Sequence, residues 1–280
     1  MAVLLALLSA IAYGTSDFIG GLVSARISPW ASAFASQCGG TAAILVLALA
    51  DPVWPAVADL GWGALSGAGT GLGMVFLYRG LSCGRMGVVA PVSGLTSALL
   101  PAIVGVATGE RPSAVAWLGV LLALPSTYLV ARTPPAAEAG PGAGSRDGVL
   151  DGFLAGCGFG GGFAAIAQAD TDSGHLPLGL GLGVGAVLVA LAAVLVRQDW
   201  LPRQRVALVS AGGGVLGGVA LIFFVLATHH GMLTVSGVIS SLYPAATVVL
   251  AVVVLREHIH RGQAVGLGLC AVAVALVAGG

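Results

Sequence analysis

Apolar residues run along this chain in ten long stretches, separated by short clusters of Pro, Gly or charged positions. A helix rises ~1.5 Å per residue and the hydrocarbon core of a bilayer is ~30 Å thick, so one crossing takes ~20 residues. The stretches have that length. Five of them, Ala2 to Val23, Trp30 to Ala50, Leu60 to Tyr78, Met86 to Ala107 and Ser113 to Ala131, come first. Then Arg132 to Gly148, rich in Pro, Gly and Ala and without an apolar period, reads as a linker. Val149 to Ala169, Pro177 to Val196, Val206 to Ala227, Leu233 to Val254 and Gln263 to Gly279 complete the set. The pattern predicts an all-α membrane protein of ten transmembrane helices, with five-helix domains at 1–131 and 149–280 joined by the loop at 132–148.

Sliding the chain by 147 residues lays Gly84 to Ala131 on Gly231 to Ala278 with twelve of 48 positions identical. Glu110 with Glu257 carries the most weight, because charge is rare here and both fall at the junction of a fourth and a fifth stretch. Tyr13-Gly14 and Phe159-Gly160 take similar places in the two opening stretches. Five is an odd number, so the second repeat enters the membrane from the opposite side and the halves are inverted. Inverted repeats let a transporter form two states of similar energy around a site near the bilayer midplane.

Composition agrees with a lipid environment: 58% of the 280 residues are hydrophobic and 8% charged, where soluble domains carry about a quarter charged residues. The eleven basic residues are all Arg and balance eleven acids, which argues against nucleic acid as a partner. Cys38, Cys83, Cys157 and Cys270 have no metal-ligand or disulfide spacing and read as buried small hydrophobes. The opening Met1-Ala2-Val3-Leu4-Leu5 lacks the basic leader of a cleaved signal, so the first stretch is expected to stay as a helix. Glycines four apart, such as Gly67 and Gly71, Gly158 and Gly162, or Gly181 and Gly185, suit close helix packing in lipid.

Ten of the eleven arginines (Arg26, Arg79, Arg85, Arg132, Arg146, Arg197, Arg203, Arg205, Arg256 and Arg261) follow stretches one, three, five, seven and nine, and only Arg111 lies on the other side. The positive-inside rule puts the rich face in the cytoplasm and both termini outside it, with the cell inner (plasma) membrane as the expected location. Trp30, Trp54, Trp62 and Trp200 near span ends suit an interfacial belt.

Asp17 is the one acid well inside a stretch; nine residues from Arg26, it lies ~13 Å deep. Unpaired in lipid it would cost ~2.5–3.5 kcal/mol, so it is expected to face protein, as a proton-coupling or substrate group, or held by a fixed partner such as Arg79 or by a serine network. Tyr13 and Ser16 share its helix face. Ser236, Ser240 and Tyr243, with Thr247, form a second polar stripe on the ninth stretch, and Ser93, Thr96 and Ser97 occupy the equivalent part of the fourth. Gln37 and Gln168 are expected to be buried amides that need partners wherever they lie. Each hydroxyl can instead bond to its own helix, and each amide can serve as packing glue. Pro91, Pro101 and Pro244 are expected to interrupt their helices, and Glu110 and Glu257 to sit at the start of the last helix of each repeat. Neither cofactor nor metal is expected. The five histidines lie at span ends, and Ser66 has no histidine at matching depth for a protease.

The run Tyr13-Gly14-Thr15-Ser16-Asp17-Phe18, the turn Ser241-Leu242-Tyr243-Pro244, and the junctions Gly109-Glu110-Arg111 and Arg256-Glu257-His258 resemble the drug/metabolite transporter superfamily, specifically proteins with tandem EamA domains. Tyr13 stands where such proteins usually carry Trp, and Ser97 stands where Pro244 does in the second repeat. The resemblance implies a central cavity lined by both halves, export or exchange of small metabolites or drugs, and cytoplasmic termini, against the charge count. No Arg lies deep in a stretch, so neutral or zwitterionic solutes such as amino acids, or weakly cationic ones, fit better than anions. The expected partners are a small-molecule substrate, protons, the bilayer and a second copy in a homodimer. A non-transporting membrane sensor or assembly partner of the same fold is the alternative.

Overall fold

The computed structural model describes residues 1–82, 86–131, 145–256 and 260–279. The first repeat holds α1 (Ala2–Ser24), α2 (Pro29–Ala50), α3 (Val57–Ser82), α4 (Met86–Ala107) and α5 (Ala114–Ala131). The second holds α6 (Ser145–Ile166), α7 (Leu176–Leu195), α8 (Ala207–His229), α9 (Leu233–Ser240), α10 (Tyr243–Leu255) and α11 (Arg261–Gly279). Among the described residues there is no strand. Nine segments of these residues are long and apolar enough to cross a membrane, with α9 and α10 together making one of them, and Val92–Ala107 of α4 is a shorter apolar stretch. The fold is thus ten transmembrane segments in two inverted five-helix repeats.

The larger seams run between the repeats, and each has a mirror. α3 lies on α6 as α8 lies on α1, α4 on α6 as α9 and α10 lie on α1, and α2 on α8 as α7 lies on α3. α2 and α7 pair across the pseudo-two-fold, and so do α5 and α11. The 147-residue offset reappears in single contacts. Gly119 faces Val277 while Gly266 faces Val130, and 266 − 119 and 277 − 130 both equal that offset.

Lipid tails are as apolar as leucine, so helices here gain little from excluding water and associate instead by close contact and hydrogen bonds. The glycine stripes supply the contact. A methyl group on Gly67 would collide with the Gly181 carbonyl across the α3–α7 seam. One on Gly69 would lie 2.7 Å from the Gly158 carbonyl oxygen of α6. Hydroxyls add bonds across the repeats: Ser9 Oγ donates to the Ala220 carbonyl at 2.8 Å, and the Ser32 and Ser210 hydroxyls are 2.7 Å apart. Such bonds contribute ~0.6 kcal/mol each in a bilayer.

Several expectations need correction. Pro91 and Pro101 do not break α4, which runs through both, and Pro125 sits inside α5. Among the described residues only the ninth span is divided, at Ser241–Leu242 just before Pro244. Pro244 falls in the first turn of α10, where a missing N–H costs little. α6 begins at Ser145, four residues before the expected Val149, and α3 extends to Ser82. Cys38 is exposed and Cys157 half-buried, so only Cys270 of the described cysteines is a buried hydrophobe. Trp54 is 91% exposed and suits an interfacial belt, but Trp30 is only 7% exposed because it packs with Ala33, Val189 and Ala193. Residues 132–144 of the expected linker, Cys83, Arg85, Glu257 and His258 lie outside the described residues.

Candidate functional site

A cavity of about 810 Å³ occupies the middle of the bundle. α1 presents Tyr13, Ser16, Asp17, Gly20, Gly21 and Ser24 to it, a face repeating every three or four residues. α2 supplies Ser32, Ala33, Ser36 and Gln37 in the same rhythm, and α3 supplies Ser66, Thr70 and Met74. The second repeat contributes Phe159, Phe163 and Ile166 of α6, Gly181 and Leu182 of α7, Leu221 of α8, and Tyr243 just past the break in the ninth span. The wall reaches Ser24, Pro29, Arg79 and Gln198, at the ends of α1, α2, α3 and α7 that carry the arginine-rich loops. The mouth is at that face.

The opposite end is shut by an apolar plug. Ile44, Phe163, Ile166, Leu178, Leu221, Phe224 and Leu233 form one buried cluster, with Tyr13 and Val104 packed against it. Phe163 meets Tyr13 edge-on at 5.6 Å and Phe224 at 4.7 Å, an arrangement of rings that excludes water. Phe163, Ile166, Leu178 and Leu221 belong to both the plug and the cavity wall, so the floor of one is the roof of the other.

Charge in this wall is sparse. Asp17 faces the open space, about two-thirds of the way along α1, between Tyr13 one turn before it and Gly20 and Gly21 one turn after. Tyr243 stands close to Tyr13, their rings 6.4 Å apart, so two phenols share the carboxylate's neighbourhood. Arg79, weighed above as a fixed partner for Asp17, instead joins Asp151 of α6 at the mouth, with Nε 2.9 Å from Oδ1, and lies over the Phe76 ring. No hydrogen bond or ion pair to the Asp17 carboxylate occurs among the described residues.

The structure gathers Tyr13, Ser16, Asp17, Gln37 and Tyr243 around the cavity. It places the other candidate residues elsewhere. Ser93 and Thr96 lie in the α4–α6 seam, where the Ser93 carbonyl and Thr96 Cβ press on Gly156, and Thr96 Oγ1 donates to its own helix at Val92. Ser240 is buried against α1, its hydroxyl 3.5 Å from the Ala6 carbonyl oxygen, and Ser236 is fully buried beside it in α9. Gln168, expected to be buried, is instead exposed beyond the end of α6, where it donates to the Ala164 carbonyl. Sequence reasoning did not single out Ser32, Ser36, Ser66 or Thr70 as cavity residues. Their four-residue spacing was visible, but on glycine-rich helices it reads as packing.

The model of the EamA-like transporter family matches this chain over residues 1–132 and again over 148–279. The chain belongs to the EamA-like transporter family. No curated protein matches it. A solved structure described only as "Crystal structure of protein" is similar, with a TM-score of 0.74 and 20% sequence identity over 98% of this chain and 95% of that one. At that identity the likeness is one of fold, and it spans both EamA segments. The family is one of membrane transporters of small molecules rather than enzymes, and a cavity walled by both EamA segments is where such a solute can be held.

Proposed function

We propose that this EamA-like protein is a secondary transporter that moves small metabolites or drugs by alternating access, exporting or exchanging a neutral, zwitterionic or weakly cationic solute such as an amino acid. The observation that carries the reading is the cavity itself. It is walled by both repeats, open at one face, closed at the other by side chains rather than by backbone, and it places Asp17 within reach of a solute. An acid that faces the cavity with no ion pair among the described residues favours a solute bearing an amino group, or a proton carried in its place. Tyr13, Tyr243, Ser36 and Gln37 offer hydrogen bonds around it, and Phe163 and Trp30 offer apolar surface.

With the arginine-rich face in the cytoplasm, this conformation is open inward, in a cell membrane with both termini outside the cytoplasm. A C-terminal fusion to a reporter fluorescent only in the cytoplasm checks that orientation, and a bright fusion reverses it.

The decisive experiment is flux in proteoliposomes against a panel of amino acids, amines and neutral metabolites, with and without an imposed proton gradient. Saturable flux of at least one such solute is expected. Flux independent of the gradient, and unchanged across pH in Asp17→Asn, would remove the coupling role. No flux for any solute, together with a partner protein that copurifies, would replace the reading with that of a membrane sensor.

A further inference from the structure

α9 is eight residues long and begins at Leu233, with Met232 at its N-cap offering no side-chain cap. The first N–H groups of any helix lack partners within it and must find them elsewhere. Here they find them 123 and 124 residues away in the other repeat: the Leu233 N–H donates to Glu110 Oε1, and the Thr234 N–H to Glu110 Oε2 at 2.8 Å. Both carboxylate oxygens are thereby engaged at the positive end of a helix dipole. Sequence reasoning assigned Glu110 to the start of α5, and it serves α9 instead.

The first repeat is shaped for this contact. Just past the end of α4, Gly109 takes φ +101°, a conformation that favours glycine, and the Glu110 N–H turns back to the Gly105 carbonyl at 2.9 Å. At Gly105 there is no room for a methyl group, which would collide with Glu110 Oε2 and Thr234 Oγ1. Thr234 is fully buried and its hydroxyl reaches the Ala102 carbonyl oxygen of α4 at 3.3 Å.

The residue so held is part of the closure. The Leu233 side chain is 5% exposed and belongs to the plug beneath the cavity, together with Ile166, Leu178 and Phe224. The other end of α9 meets the break before Tyr243, which lines the cavity. We propose that Glu110 is the latch of the arginine-poor gate: its carboxylate pins the start of α9 to the end of α4, keeps Leu233 in the plug, and must let go for the cavity to open to that face. Glu110 is a positioning residue, acting through α9 without touching the solute.

The purpose of the latch rests on the alternating-access reading, but its test needs no substrate, so the two can fail separately. Leu182→Cys lines the cavity and packs against the plug. It is introduced into a chain whose four native cysteines are replaced by Ser, and a membrane-impermeant thiol reagent is applied to each face in turn. A separate Asp172→Cys chain marks the arginine-poor face, where Asp172 is exposed in the loop after α6.

With Glu110 present, Leu182→Cys is expected to label from the arginine-rich face and scarcely from the other. Glu110→Ala should raise labelling from the arginine-poor face by about tenfold, the loss of charge-assisted hydrogen bonds being worth at least that in an equilibrium. Glu110→Gln keeps the side-chain size and one acceptor and should give a smaller rise. Should the Ala variant fail to reach the membrane, the Gln variant carries the test alone. Labelling from the arginine-poor face that stays at the wild-type level in a variant still labelled from the rich face overturns the latch, whatever the flux assay finds.

Discussion

α1 and α6 open the two repeats and pack in mirrored places, α1 on α8 and α6 on α3, yet they bring opposite chemistry to the cavity. Where α1 has Tyr13, Ser16 and Asp17, an offset of 146 residues gives Phe159, Gly162 and Phe163 on α6. The same offset pairs Gly14 with Gly160, and these glycines do the same work: each lets a fourth-span helix approach, the Tyr243 carbonyl in one case and the Ser97 carbonyl in the other. Small residues and backbone contacts thus follow the two-fold, and polar side chains depart from it. The repeat supplies a frame that can rock between two states, and the departures supply a cavity with one polar wall and one aromatic wall.

The outer ends of the same seams differ as well. α3 and α6 are tied at the mouth by Arg79 and Asp151, whose side chains are 55% and 5% exposed. The corresponding end of the α1–α8 seam is apolar, with Ala6 and Ala227 both fully buried. The largest expected effect breaks this difference. Arg79→Ala leaves the buried Asp151 carboxylate without its guanidinium and should cost ~3 kcal/mol, read as a lowered unfolding midpoint in detergent. Asp151→Asn should cost less, because the Arg79 side chain is 55% exposed and its charge is already hydrated. Equal losses from the two would show that the pair is not what holds the seam.

Next in size is the carboxylate of the polar wall. Asp17→Asn should reduce flux of an amine-bearing solute by about tenfold or more, the cost of removing the one acid among the described residues that line the cavity. Adding Phe163→Asp to that variant moves the acid onto the mirrored helix. Partial recovery would mean that the cavity needs a negative charge on either wall, and no recovery would mean that it needs the α1 geometry with both phenols.

Tyr13→Phe makes α1 resemble α6 at Phe159 while keeping the ring that meets Phe163 edge-on. A lost neutral hydrogen bond to solute should raise the half-saturating concentration about threefold, with the maximal rate little changed. Ser32→Ala, which removes the bond to Ser210 and the weaker one to the Gly20 carbonyl, is the smallest, at ~0.6 kcal/mol of stability.

Hydropathy made most of the frame legible, because ten apolar stretches of bilayer length leave few alternatives and an odd repeat forces inversion. Pro244 marked a real break, whereas Pro91 and Pro101 marked none: in α4 the freed carbonyls are tolerated inside a bundle packed on α6 and α9. Asp17 could be found because a charge at that depth needs a reason. Which hydroxyls face the cavity could not, since Ser93, Thr96 and Ser240 have the same local spacing as Ser32, Ser36 and Thr70 and differ only in the helix that lies opposite. Glu110 was read locally for the same cause. Its partners are 123 and 124 residues away, and no local pattern announces them.

The mirrored seams also bear on how the molecule is made. α1, α2 and α3 find their main packing partners in α6, α7, α8 and α10, all synthesised later. As the chain enters the bilayer, the first five helices must therefore wait, with the Gly67 stripe bare and Arg79 still lacking Asp151. They are inserted but not yet folded, and the order of assembly becomes a vulnerability: until the second repeat arrives, the same small-residue stripes that will later bind it are open to any neighbouring helix.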